Sequence, residues 1–222
     1  MIRLRVSLCA LLVATVSCVS AHAISIGQSD DFQDATSMNW RHGMNAGQTL
    51  PSAQADAGPA GAGDYALLNV ANGIGGPGSR VALFNEMQWT GDYLAAGVDT
   101  LSIDLRAEAN PTADLSIRLG FESFVGERYV TDAFILPQDD VWRSATFDIS
   151  PSALTQVGGG LTAEEVMSNV MEMRIISAAG LDWRGDLVAA NLFADNITAV
   201  PEPTIGFGAL LGLLACIRRR RA

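Results

Sequence analysis

Lysine is absent from the chain, so every one of its 14 basic side chains is an arginine, set against 24 acidic ones. The three cysteines, Cys9, Cys18 and Cys216, all stand in the two terminal segments. The stretch between them can therefore form no disulfide and use no thiol. Histidine is nearly as scarce. Beyond His22 only His42 remains, which excludes two-histidine zinc sites and helical H-E-x-x-H motifs. No G-x-S-x-G elbow accompanies that histidine, so a serine triad has no foundation. The carboxylate pairs Asp139-Asp140 and Glu164-Glu165 are sequence neighbours, and neighbours on a strand point to opposite faces, whereas a glycosidase needs two carboxyls flanking one bond. An E-x-D-x-x-E strand is missing too. The run Gly158-Gly159-Gly160 lacks the Lys-Ser/Thr of a phosphate-binding loop. These absences make a non-enzymatic protein the expectation. Nucleic acid is excluded as a partner, because neutralising phosphates requires basic patches.

Chemistry gives way to address at the two ends. Arg3 and Arg5 precede the apolar stretch from Val6 to Val19, and Ala21-His22-Ala23 is a small-x-small site. Together they make a secretory signal peptide over residues 1–23, cut after Ala23. A lipoprotein reading through Cys18 lacks the usual leucine three residues earlier. At the other end Val200-Pro201-Glu202-Pro203 leads into an uncharged run, Thr204 to Ile217, closed by Arg218, Arg219, Arg220 and Arg221. The prolines hold the chain extended and keep helix from starting before Thr204. As a helix the run reaches about 21 Å, short of the ~30 Å hydrocarbon core, so it predicts a weak, temporary inner-membrane anchor with the arginines on the cytoplasmic side. A buried terminal helix of a soluble domain does not end in four arginines.

This tail resembles the PEP-CTERM sorting signal of Gram-negative bacteria. The resemblance implies recognition and cleavage by an exosortase, delivery to the cell surface, outer membrane or extracellular matrix, and an association with exopolysaccharide.

Between the ends, residues 24–199 fit one domain. Basic residues there are few, so the domain is more acidic than the whole-chain formal charge of -10. Period-two alternation bounded by Gly, Pro, Asn and Asp predicts strands over 65–70, 80–86, 100–107, 114–122, 128–136, 142–149, 170–177 and 192–198. Leu101, Ile103 and Leu105 share one face, as do Leu115, Ile117 and Leu119. Strands at this spacing, without alternating helices, predict an all-β antiparallel sandwich. Ser150-Pro151 and the capping box Thr162-Ala163-Glu164-Glu165 predict two short helices. Residues 46–63 predict a long, poorly ordered loop.

The order Asp31-Phe32, Trp40-Arg41, Gly63-Asp64-Tyr65, Trp89-Thr90-Gly91-Asp92-Tyr93, Leu119-Gly120-Phe121 and Leu192-Phe193-Ala194-Asp195-Asn196-Ile197 is similar to jelly-roll, galactose-binding-like domains, relatives of bacterial carbohydrate-binding modules. The resemblance implies a structural calcium joining first strand to last through Asp31 and Asp195, with Asp30 or Asp34 as substitutes. The alternative is that Asp195-Asn196 only starts a turn. Trp40 and Trp183 stand beside Arg and Gly in expected loops and are the candidates for stacking on a sugar. Trp89 and Tyr93 are expected to cover the edge of the core, and Trp142 to seal one end. The expectation is an exported, exosortase-sorted surface protein, with a carbohydrate-binding module carrying a specific glycan site as the first alternative and a secreted glycan hydrolase as the second.

Overall fold

The computed structural model describes residues 24–43, 51–110 and 113–201. The signal segment with Ala21 and Ala23, and the tail from Glu202 and Pro203 through Arg218–Arg221, lie outside the described residues. Among the described residues no helix is long and apolar enough to cross a membrane.

The predicted alternation is realised as strands. They are β1 (Ser29–Asp30), β2 (Arg41–His42), β3 (Ser52–Gln54), β4 (Ala66–Asn72), β5 (Ala82–Asn85), β6 (Val98–Ala107), β7 (Leu115–Glu122), β8 (Arg128–Val130), β9 (Phe134–Leu136), β10 (Arg143–Asp148), β11 (Thr155–Gly158), β12 (Glu172–Ser177) and β13 (Ala189–Pro201). All pairings are antiparallel. One sheet runs β10-β6-β13-β4-β3, with β1 also on β13; the other runs β11-β8-β7-β12-β5-β2, with β9 also on β7. The two form a jelly-roll-like sandwich.

Its core is what alternation supplies. Leu101, Ile103 and Leu105 of β6 and Ala145 and Phe147 of β10 line one inner face, and Leu115, Ile117, Leu119 and Phe121 of β7 with Met173 and Ile175 of β12 line the other. At about 25 cal/mol per Å² of apolar surface, each fully buried Leu, Ile or Phe contributes roughly 1.5–3 kcal/mol. Trp89 and Tyr93, expected at the edge, lie inside this core with no exposed surface. The Tyr93 hydroxyl donates to the Trp89 carbonyl at 3.0 Å. Trp142 is half-buried, with the Arg106 guanidinium 5.4 Å from its ring centre.

Two helices frame the sandwich. α1 (Tyr93–Ala96) is capped by Asp92 and ends on Gly97 in the left-handed region. α2 (Ala163–Met167) carries the full capping box between Thr162 and Glu165. The Ser150-Pro151 signal yields a single 3-10 turn, Pro151–Ala153, without a side-chain cap.

Three expectations change. The span 128–136 is two strands, broken where the Leu119 N–H donates to the Thr131 hydroxyl at 3.0 Å while the Thr131 N–H donates to the Leu119 carbonyl at 2.9 Å. Within 46–63, residues 52–54 pair with β4, and Asp56 and Asp64 tie the following turns through the Gly63 and Ala60 N–H groups, each at 2.7 Å. The last strand does not stop at residue 198: Val200 pairs with Thr100 and Pro201 with Val98. The Pro-Glu-Pro motif thus begins inside a ladder rather than in an open linker, at a strand end where proline is tolerated.

Candidate functional site

Register builds the outer face of the sheet containing β7, β12 and β5. Glu172 lies opposite Glu122, and Met173 lies between Phe121 and Asn85. Since Met173 faces the core, Glu172 and Arg174 face outward, with Glu122 and Gly120 beside them on β7 and Phe84 beside them on β5. Glu86 continues the glutamate row just past β5. Each glutamate is tied to an arginine: Glu122 to Arg128 at 3.1 Å, Glu172 to Arg174, and Glu86 to Arg41.

Trp183 forms the floor of this arrangement. Its ring lies over Gly120, where an added Cβ would sit 2.7 Å from Trp183 Cζ3. The Arg174 guanidinium stands 4.3 Å from that ring's centre and Arg128 5.1 Å, while Arg174 and Arg41 each approach Phe84 at 5.7 Å. These contacts fix planar guanidinium groups in place.

At one end of the face a cleft of about 340 Å³ opens among Glu86, Glu122, Glu172, Ser123, Phe124 and Met171. Phe124 is 58% exposed. The β7–β8 turn that carries it is held by the Gly126 N–H on Glu122 Oε1 at 2.6 Å and the Glu127 N–H on the Phe124 carbonyl at 2.9 Å. The Ser123 hydroxyl is buried without a partner. An exposed aromatic face beside carboxylates can stack on the C–H groups of a ligand and accept hydrogen bonds from its hydroxyls.

The tryptophans expected to stack on a sugar are elsewhere. Trp40 is 1% exposed, and its indole N–H donates to Asp30 Oδ2 at 2.7 Å. The Trp89 indole (2.7 Å) and the Gln88 amide (2.9 Å) donate to the same oxygen. Burial raises the Asp30 pKa, against the lowering effect of these donors. Trp40 is therefore a clip joining β1 to the start of β2. Trp183 is 4% exposed; it orients arginines and offers no free face.

Asp31 and Asp195 are brought into electrostatic range of each other. Asp195 on β13 is buried, directly opposite Asp104, and its Oδ1 accepts the Asn196 N–H at 2.8 Å. Burial, then Asp64, Asp104 and Asp31, push its pKa up to about 7. Asp31 is exposed, and Gln33 links its carbonyl to Asp64. Charge and hard oxygen donors suit calcium. Among the described residues, however, no three His, Cys, Asp or Glu side chains are grouped to hold a metal ion.

No protein-family model and no curated protein matches the chain. Solved structures do. An exo-beta-agarase superposes with a TM-score of 0.57 at 13% identity, over 81% of this chain and 26% of that one. A family 11 carbohydrate-binding module from Clostridium thermocellum, in complex with a beta-1,3-1,4-mixed-linked tetrasaccharide, superposes with a TM-score of 0.51 at 15% identity, over 80% of this chain and 98% of that one. The shared property is the fold. The chain thus spans about a quarter of the agarase and nearly all of the binding module.

Sequence reasoning missed Glu86, Glu122, Glu172, Phe124 and Arg174. Glu86, Glu122 and Phe124 lie at the end of an expected strand or just past it, and Glu172 and Arg174 lie within the expected strand 170–177. Only the pairing register shows that three distant glutamates form one row.

Proposed function

We propose that the protein is an exported polysaccharide-binding module whose glycan site is the outer-face cleft between Phe124 and the row Glu122, Glu172 and Glu86. The observation that carries this reading is the cleft itself, an exposed aromatic beside ordered carboxylate–arginine pairs. The fold shared with the full length of a carbohydrate-binding module supports it. The role is binding without turnover, since all three glutamates are engaged by arginines and suit accepting hydroxyl hydrogen bonds.

The terminal segments complete the proposal. The signal peptide directs export, and the tail is recognised by an exosortase-type enzyme that releases the protein towards the cell surface. Intact mass of the protein recovered from outside its native cells is expected to lack the first ~23 residues and the hydrophobic tail; retention of the tail contradicts the sorting reading. A structural calcium belongs to the same proposal, with Asp31 and Asp195 as the side chains that would hold it and the joining of first strand to last as its effect.

Affinity electrophoresis through mixed-linked β-glucan and through agarose tests the glycan site. Phe124→Ala is expected to weaken retention about tenfold, the loss of a central aromatic contact of about 1.5 kcal/mol. Unchanged retention overturns the cleft assignment.

A further inference from the structure

We infer that a second pocket, beside the proposed glycan cleft, binds an acidic group: a carboxylate or sulfate carried on an anionic polysaccharide. The inference deepens the polysaccharide reading and rests on it.

The pocket, about 170 Å³, lies where the Gly76–Gly78 turn meets the outer face of β5 and β12. Arg80, Arg174, Arg184 and His42 line it, and no aspartate or glutamate does. In a chain with 24 acidic and 14 basic side chains this is a marked local reversal of charge. The cleft beside Phe124 has the opposite character, three glutamates and no basic group.

Two further features show that the charge is unspent. Five arginines of the described residues are ion-paired: Arg41, Arg106, Arg128, Arg143 and Arg174. Of the three that are not, Arg118 is buried on the Ala178 and Thr131 carbonyls. The other two, Arg80 and Arg184, both line this pocket. Arg80 is held by one bond to the Gly185 carbonyl, which orients the group and leaves further N–H donors. Asp182 and Asp186 flank Arg184 in sequence, but their carboxylates accept the backbone N–H groups of Arg184 and Ala179. His42 is 3% exposed, and neither ring nitrogen has a partner.

Arg174 joins this pocket to the neighbouring site. Its guanidinium is fixed by Glu172, the Trp183 carbonyl and the Trp183 ring, so a side chain that lines this pocket is held by a glutamate that lines the cleft. The two oxygens of a carboxylate, or two of the oxygens of a sulfate, match guanidinium donors in pairs. An anionic polymer is repelled by the rest of this acidic domain, which makes the pocket decisive for its orientation.

The test uses the protein purified from its cells in affinity gels containing polygalacturonate, dextran sulfate, mixed-linked β-glucan or no polymer, at low and high salt. The protein is expected to be retarded by polygalacturonate or dextran sulfate, less so as salt rises, and the better polymer assigns the acid. Arg184→Gln is expected to weaken that retention about tenfold and leave β-glucan retention unchanged. Arg184 makes no side-chain hydrogen bond among the described residues, so the variant should fold, as circular dichroism would confirm. Arg143→Gln removes the same charge away from the pocket and should bind as the parent does. Retention lost equally in both variants overturns the inference, because net charge then explains it. Retention by β-glucan alone refutes the acidic pocket and leaves the proposed function standing. Retention by no polymer refutes both.

Discussion

Gly120→Ala places a methyl group against the one aromatic ring that orders the outer face. The new Cβ would sit 2.7 Å from Trp183 Cζ3 and 3.1 Å from Cε3, with Arg174 Cβ at 3.6 Å. The ring must move. Alanine in a strand gains roughly 0.5–1 kcal/mol over glycine, whereas overpacking costs about 1–3 kcal/mol. Displacing Trp183 also weakens its contacts with Arg174 and Arg128, at about 0.5–1 kcal/mol each. A net loss of about 2 kcal/mol follows. Urea denaturation should show it as a lower midpoint with an unchanged slope. On a Trp183→Ala background the same substitution meets no ring and keeps alanine's gain of roughly 0.5–1 kcal/mol, so the two changes should be non-additive by about 3 kcal/mol. A cost below about 0.5 kcal/mol for Gly120→Ala, or an equal cost on both backgrounds, refutes the role given to Trp183.

Asp195, whose pKa is raised from 3.8 to about 7, binds a proton in the folded state that the unfolded chain releases near pH 4. Its contribution is therefore fully present below about pH 4 and is lost as pH rises through about 7. The ceiling is about 4 kcal/mol; burial is the main cause of the shift, and incomplete desolvation with screening of the neighbouring carboxylates reduces the contribution to about 2 kcal/mol. Tm should fall between pH 5 and pH 8 without divalent ions, and Asp195→Asn should flatten that slope; a slope unchanged in the variant contradicts the assignment. Calcium should raise Tm of the parent at pH 8 and not that of Asp195→Asn, and equal Tm with calcium or EDTA removes calcium from the proposal. Thr162→Ala breaks the capping box of α2 and should cost about 1 kcal/mol in chemical denaturation, while a neutral effect would mean that the helix is held by packing of Val166 and Met167 alone.

Each of the eight spans expected from alternation carries strand, 128–136 as two strands and not one, because the period of two survives wherever one face is buried. Leu101, Ile103 and Leu105 needed no register to be placed inside. The short strands β1, β2, β3 and β11 were not legible, since two to four residues cannot show a period. The capping box was readable because its bonds are local. Trp40 and Trp183 stand in loops as expected, but their rings are buried and not open to a sugar. Their environments depend on Asp30 and Gly120, and sequence neighbours give no hint of either contact. The glutamate row depends on how β5, β7 and β12 align, a long-range fact, as does the gathering of Arg80, Arg174 and Arg184.

The most direct measurement is retention of the protein by exopolysaccharide from its own producing cells, comparing the parent with Phe124→Ala in protein confirmed as folded. The account expects saturable binding by the parent and a loss of about tenfold in the variant. Absence of binding by the folded parent, or equal binding by the two proteins, contradicts a glycan site between Phe124 and the glutamate row.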